Sequence, residues 1–212
     1  MNLALFDFDG TITRGDSFTN FLRFAGRPSR LAVGKALLAP VAVAYRLGAV
    51  SASRARPIVA RVVFQGERVE FVSERGRRYA SEVLPKMVRR EAVDRIRWHQ
   101  EQGDRVVVVS ASLDSYLSPW CEAIGVERIS TELEERNGRL TGRYRHGDCS
   151  GRTKARRIVE EYELGRYQAV FAYGDTIEDR EMLELADRKF YRGAEIRNWQ
   201  EAVCRGVAHP PS

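Results

Sequence analysis

Acidic side chains gather where apolar runs stop. Asp7 and Asp9 stand one residue apart in Asp7-Phe8-Asp9-Gly10-Thr11, directly after Leu3-Ala4-Leu5-Phe6. Asp175 and Asp179 lie in Gly174-Asp175-Thr176-Ile177-Glu178-Asp179, directly after Tyr167 to Tyr173. Ser110-Ala111-Ser112 follows a third run, Arg105 to Val109, and Lys154 stands early in a helical stretch ahead of the last one. Carboxylates brought together repel unless a cation neutralises them, and a small hard ion that keeps waters and touches phosphate is typically magnesium. One carboxylate of such a cluster can attack phosphorus in line and carry the phosphoryl group covalently. A second can protonate the leaving oxygen and later take a proton from water. The transferring group needs donors and positive charge around its oxygens, roles suited to Thr11, Ser110, strand-end amides and Lys154.

These residues need a frame that brings distant segments to one edge. The three apolar runs have strand length and, with almost no alternation, read as buried parallel strands. Helical stretches separate them: Val88 to Gln102 before Gly103, Ser112 to Ile124 before Gly125, and Thr153 to Leu164 before Gly165. The pattern predicts an α/β fold with a doubly wound parallel sheet, whose ligands bind at the carboxyl ends of the strands. Glu127 to Arg145 reads as two strands joined by Asn137-Gly138, a strand with a β extension. Asp16 to Arg78 holds no convincing strand and is rich in helix formers. The expected organisation is a core of residues 1–15 and 79–212 with a small helical domain, 16–78, inserted after the first strand. Within it, Leu31 to Val50 is strongly apolar, but Lys35, Arg46 and Pro40 interrupt it. It is expected to form a buried helical hairpin, with a lipid-contacting face as the lesser alternative and no transmembrane span.

Bulk properties narrow the classes. The 212 residues, 43% hydrophobic and 30% charged, suit one large domain or a core with a small appendage. No basic segment followed by a long apolar one opens the chain, and Cys121, Cys149 and Cys204 are far apart without a CxxC pair. A cytoplasmic protein without disulfides or zinc is expected. The net charge of +6 comes mostly from arginine. Runs such as Arg75 to Arg78 lack interleaved aromatics, so no nucleic-acid partner is expected.

The motifs together resemble a known family. DFDGT at Asp7 to Thr11, a strand ending in Ser110, Lys154, and GDTIED at Gly174 to Asp179 match, in order and spacing, the four motifs of the haloacid dehalogenase-like (HAD) phosphatases. The insert after the first strand resembles the type-1 helical cap of the phosphoserine-phosphatase-like subfamily. The resemblance implies a magnesium-dependent phosphomonoester hydrolase working through an aspartyl phosphate. It implies Asp7 as nucleophile and metal ligand, Asp9 as general acid and base and as ligand through its carbonyl, and Asp175 as metal ligand. Ser110 and Lys154 would hold phosphoryl oxygens, Thr11 would support the turn and its hydrogen bonds, and Asp179 would orient Lys154 or metal-bound water. The serine phosphatases place a glutamate directly after an Asp-Ser pair at the start of the cap, and Asp16-Ser17 is followed here by Phe18. Phosphoserine is therefore disfavoured as substrate, whereas histidinol phosphate and phosphatidylglycerophosphate, substrates of other relatives, stay open.

Other readings are weaker. An EF-hand loop beginning at Asp7 would need glycine where Ile12 stands and glutamate where Phe18 stands. A non-catalytic phosphoacceptor switch, or a metal- or phosphate-binding module, remains the alternative from another class; the DxD pair after one strand and the large insert count against it. Ser112 and Asp114 read as the N-cap and first-turn acid of the next helix, and Glu178 as an exposed first-turn acid. His99, His146 and His209 read as surface or packing residues, and Trp98, Trp120 and Trp199 as core anchors.

Overall fold

The computed structural model describes residues 1–204; His209 lies outside them, as do the side chains of Lys35, Ala36 and Cys204. Strand β1 (Leu3–Phe6) is followed by four helices, α1 (Ser17–Ala25), α2 (Pro28–Arg46), α3 (Ala52–Phe64) and α4 (Val69–Glu82). A single turn, α5 (Leu84–Met87), and α6 (Arg90–Glu101) lead to β2 (Arg105–Leu113). Then come α7 (Asp114–Ile124), β3 (Glu127–Thr131), β4 (Leu133–Arg136), β5 (Arg139–Tyr144) and α8 (Gly151–Glu161). The chain continues through β6 (Val170–Gly174), α9 (Arg180–Glu184), β7 (Arg188–Tyr191), β8 (Ala194–Ile196) and α10 (Trp199–Cys204).

Six strands form one sheet in the order β3-β2-β1-β6-β7-β8, parallel except for the last pair. The unbroken apolar runs follow from burial on both faces. Ala4, Phe6, Val106, Val108, Phe171 and Tyr173 join the cluster on one side, and Leu3, Leu5, Val107, Val109, Val170 and Ala172 the cluster on the other. β7 and β8 escape the sequence reading because they are short, partly exposed and without an apolar run.

Four expectations are corrected. Glu127 to Arg145 holds three strands: β3 extends the main sheet, while β4 and β5 form a separate hairpin with Asn137 and Gly138 at φ of 52° and 71°. The helix expected from Ser112 starts at Asp114, because β2 continues to Leu113 after a shift in its pairing beyond Val109. Leu31 to Val50 is no buried hairpin. Its main element, α2, runs unbroken through Pro40 and packs on α3, while Val33, Leu37, Val43 and Leu47 are each more than half exposed. Trp98 is 40% exposed beside Arg95, whereas Trp120 is buried against Phe8. No helix among the described residues is long and apolar enough to cross a membrane.

His99 is a packing residue with both nitrogens engaged, Nδ1 with Asp104 at 2.8 Å and Nε2 with the Tyr173 hydroxyl at 2.9 Å. Cys121 and Cys149 are free and buried.

The tightest seam between the insert and the sheet-bound helices is α4 against α7. A Cβ added at Gly76 would lie 1.8 Å from the Ser115 carbonyl oxygen. Alanine at an open helical site gains about 1 kcal/mol over glycine, but here the backbones must part. Gly76→Ala is expected to lower stability by about 1–3 kcal/mol, seen as an earlier urea midpoint; an unchanged or later midpoint would show that the seam yields freely.

Candidate active site

Sheet register assembles the site. Phe6 of β1 pairs with Val108 of β2 on one side and Tyr173 of β6 on the other. Asp7 and Asp175 therefore emerge at neighbouring strand ends beside Ser110 of β2, where the sheet order reverses around β1 and open α/β folds bind their ligands. Gly10, at φ of 88°, lets the first loop pass against Asp175; a Cβ there would sit 2.1 Å from Asp175 Oδ2.

Lys154, fully buried near the start of α8, ties two of these ends together. Its ammonium donates to Asp7 Oδ1 at 2.7 Å and to Asp179 Oδ1 at 2.6 Å. The other Asp179 oxygen accepts from the Asp175 amide at 3.1 Å and the Thr176 amide at 3.0 Å, so the turn after β6 closes on its own carboxylate. Thr11 Oγ1 donates to Asp175 Oδ1 at 3.3 Å, linking the first loop to that turn. Ser110 is buried on the cavity wall, where its hydroxyl accepts from the Ser112 amide at 3.0 Å.

Asp9 faces a different set of partners. One oxygen accepts from the Ser17 amide at 2.9 Å and Thr13 Oγ1 at 3.3 Å, the other from Ser112 Oγ at 3.1 Å. Ser17 Oγ in turn shares hydrogen bonds with Ser112 Oγ and the Tyr116 hydroxyl, and the Tyr79 hydroxyl donates to the Ser17 carbonyl. Ser112 thus belongs to the site and not to a helix cap. Its place two residues beyond Ser110 on one strand, and hence on the same face, was a usable signal. Tyr79 and Tyr116 come from far along the chain and carried none. Glu178 is likewise no free first-turn acid: Arg56 of α3 donates to it at 2.9 Å and to Asp148 at 2.8 Å.

The charges are out of balance. Burial holds the Asp7 carboxyl well above its ordinary range, with Asp179 and Asp175 pushing the same way and Lys154 opposing them. Asp175 is pushed up to about 6, by burial and then by Asp179. Burial also raises Asp9, against the hydrogen bonds from Ser17. Burial weakens the Lys154 ammonium, yet Asp179 and Asp7 outweigh it and hold the charge above the ordinary lysine range. Oxygens of Asp7, Asp175 and Asp179 lie within 4.8 Å of one another. Three carboxylates around one ammonium, all hard oxygen donors, suit a small divalent cation.

Comparison with known proteins agrees with this geometry. Residues 4–184 match the family model of the haloacid dehalogenase-like hydrolases. The chain is 32% identical over 192 residues to protein CicA of Caulobacter vibrioides, covering 90% of this chain and 85% of that protein. A probable phosphatase of Mycobacterium tuberculosis is 32% identical over 129 residues, 56% of this chain and 45% of that one. Among solved structures, a Bordetella pertussis protein of unknown function superposes with a TM-score of 0.79 at 25% identity, covering 98% of this chain and 96% of that one. A substrate-bound phosphoserine phosphatase shares the fold, with a TM-score of 0.65 at 17% identity over 96% of this chain and 97% of that one. With the family model spanning most of its length and every motif at one edge of the sheet, the chain is an enzyme of the haloacid dehalogenase-like hydrolase family.

Proposed function

We propose that the chain is a magnesium-dependent phosphatase that cleaves a phosphomonoester through an aspartyl phosphate on Asp7. The observation that carries this reading is the placement of Asp7: buried, held by Lys154, and lining one cavity with Asp9 and Ser110. The probable phosphatase of Mycobacterium tuberculosis and the phosphoserine phosphatase fold support it.

In this mechanism an Asp7 oxygen attacks phosphorus in line as the bond from phosphorus to the ester oxygen breaks. Asp9, whose carboxyl burial raises above its ordinary range, gives its proton to the departing alkoxide. Lys154 and the Ser110 hydroxyl meet the phosphoryl oxygens, and Asp179 holds Lys154 in place from behind. In the second half, water gives a proton to Asp9 and attacks phosphorus; the bond to Asp7 breaks and inorganic phosphate leaves, with Asp9 protonated again. Asp7 and Asp175, with the Asp9 carbonyl, would hold Mg2+, which when bound neutralises charge on the phosphoryl oxygens. Thr11 serves by fixing Asp175. Phe18 lines the cavity where a serine phosphatase would carry a glutamate, so phosphoserine lacks its ammonium partner.

Phosphate release from p-nitrophenyl phosphate is expected with Mg2+, to vanish with a chelator and to return on adding Mg2+; release that ignores chelation would contradict the metal assignment. Asp7→Asn should abolish turnover while the far-ultraviolet circular dichroism stays unchanged, and residual turnover near the parent's would remove Asp7 as nucleophile. Asp9→Asn should slow turnover by about 10²–10⁴-fold, and normal rates would place the proton elsewhere.

A further inference from the structure

The site opens into more space than a phosphoryl group needs. One cavity of about 790 Å³ runs from buried Asp7, Ser110 and Lys154 out to Tyr45, which is half exposed. The walls change character along it. Beyond the phosphoryl end they are built by Phe18 and Leu22 of α1, by Leu31, Gly34, Leu38, Ala42 and Tyr45 of α2, and by Ala52, Ala55, Val59 and Val63 of α3. These five α2 positions recur every three or four residues and form one stripe along the helix, spanning roughly 21 Å at ~1.5 Å per residue, with Ala39 and Val41 beside it. Ala42, Ala52 and Ala55 leave open the room that larger side chains would fill, while Gly34 lets α2 lie close to Val62 of α3, 3.3 Å from where its Cβ would stand.

The insert's part of these walls is mostly carbon, and its polar side chains are Asp16, Thr19, Arg23, Tyr45 and Arg56. Asp16 is used in capping α1, where it accepts from the Thr19 amide at 2.9 Å. Arg56 is spent on Asp148 and Glu178. A leaving group rich in hydroxyls or ammonium would meet carbon along most of the cleft, whereas an alkyl chain would leave water for it. The outer face of α2 is apolar as well, with Val33, Leu37 and Val43 each more than half exposed. A helix apolar on both faces suits a substrate drawn from an assembly of amphiphiles.

We infer that the substrate is a phosphomonoester carried on a linear alkyl or acyl chain, with its phosphate at Asp7 and its chain in the cleft between α2 and α3. This rests on the phosphatase reading and adds the substrate class. The test is kcat/KM with Mg2+ for butyl, octyl and dodecyl phosphate below their micelle thresholds, beside phosphoserine. In parallel, calorimetry measures binding of the non-hydrolysable butyl- and dodecylphosphonate to the same protein. The expected result is a rise in kcat/KM of up to about fourfold per methylene until the cleft is full, with dodecylphosphonate bound far more tightly than butylphosphonate. Ala55→Phe, which narrows the cleft, should shrink the ratio of dodecyl to butyl kcat/KM by at least tenfold.

A flat or falling series with measurable turnover, or phosphoserine preferred, would overturn the chain inference and leave the phosphatase standing. Absence of turnover on every ester would sink the phosphatase reading, and the phosphonates would still decide the chain: equal binding of both overturns it, strong preference for the longer supports it.

Discussion

The buried ammonium of Lys154, bridging Asp7 and Asp179, is the constraint on which the site depends. Removing one partner of a buried pair typically costs about 3–5 kcal/mol, because the charge left behind has no water. Lys154 therefore fixes the ends of β1 and β6 relative to α8, while Asp179 closes the turn that presents Asp175. The same bridge leaves an unresolved surplus. One cation faces three carboxylates, and burial first, then the neighbouring Asp179, raises both Asp7 and Asp175. The site thus gathers hard oxygen donors of the kind a small divalent cation takes.

Asp9 is positioned by a second network, to which both the insert and the sheet contribute. Ser17, at the start of α1, gives it an amide hydrogen bond; Ser112, near the end of β2, gives it a hydroxyl. Tyr79 of α4 and Tyr116 of α7 brace Ser17 from behind, across the seam where Gly76 lets α4 approach α7 closely. At the far side of the insert, Arg56 of α3 reaches Asp148 and Glu178. Asp9 consequently depends on helices that are seated by contacts well away from its own carboxylate.

Much of this was legible in the sequence. Unbroken apolar runs ending in acid and glycine gave the parallel core, because strands buried on both faces have no polar alternation to hide them. Asp7 and Asp175 were readable because acids directly after buried strands stand out, and Ser110 and Lys154 because phosphoryl chemistry calls for a hydroxyl and a cation beside them. What stayed hidden was either weakly patterned or long-range. β7 and β8 carry too few apolar residues to stand out, and the Ser17, Tyr79 and Tyr116 cluster exists only through tertiary packing. Leu31 to Val50 misled for a related reason: apolar composition signals burial when something covers it, yet one face of α2 borders the cleft and Val33, Leu37 and Val43 point to open surface.

The central claim is that phosphorus becomes bonded to Asp7 during turnover. Acid quenching of the enzyme with substrate and Mg2+, followed by mass spectrometry of its peptides, tests this most directly. The account predicts a phosphoryl group on the peptide carrying Asp7, labile to hydroxylamine as an acyl phosphate is. A phosphoryl group on a different residue, or direct transfer to water with no protein-bound phosphate at any quench time, would contradict it.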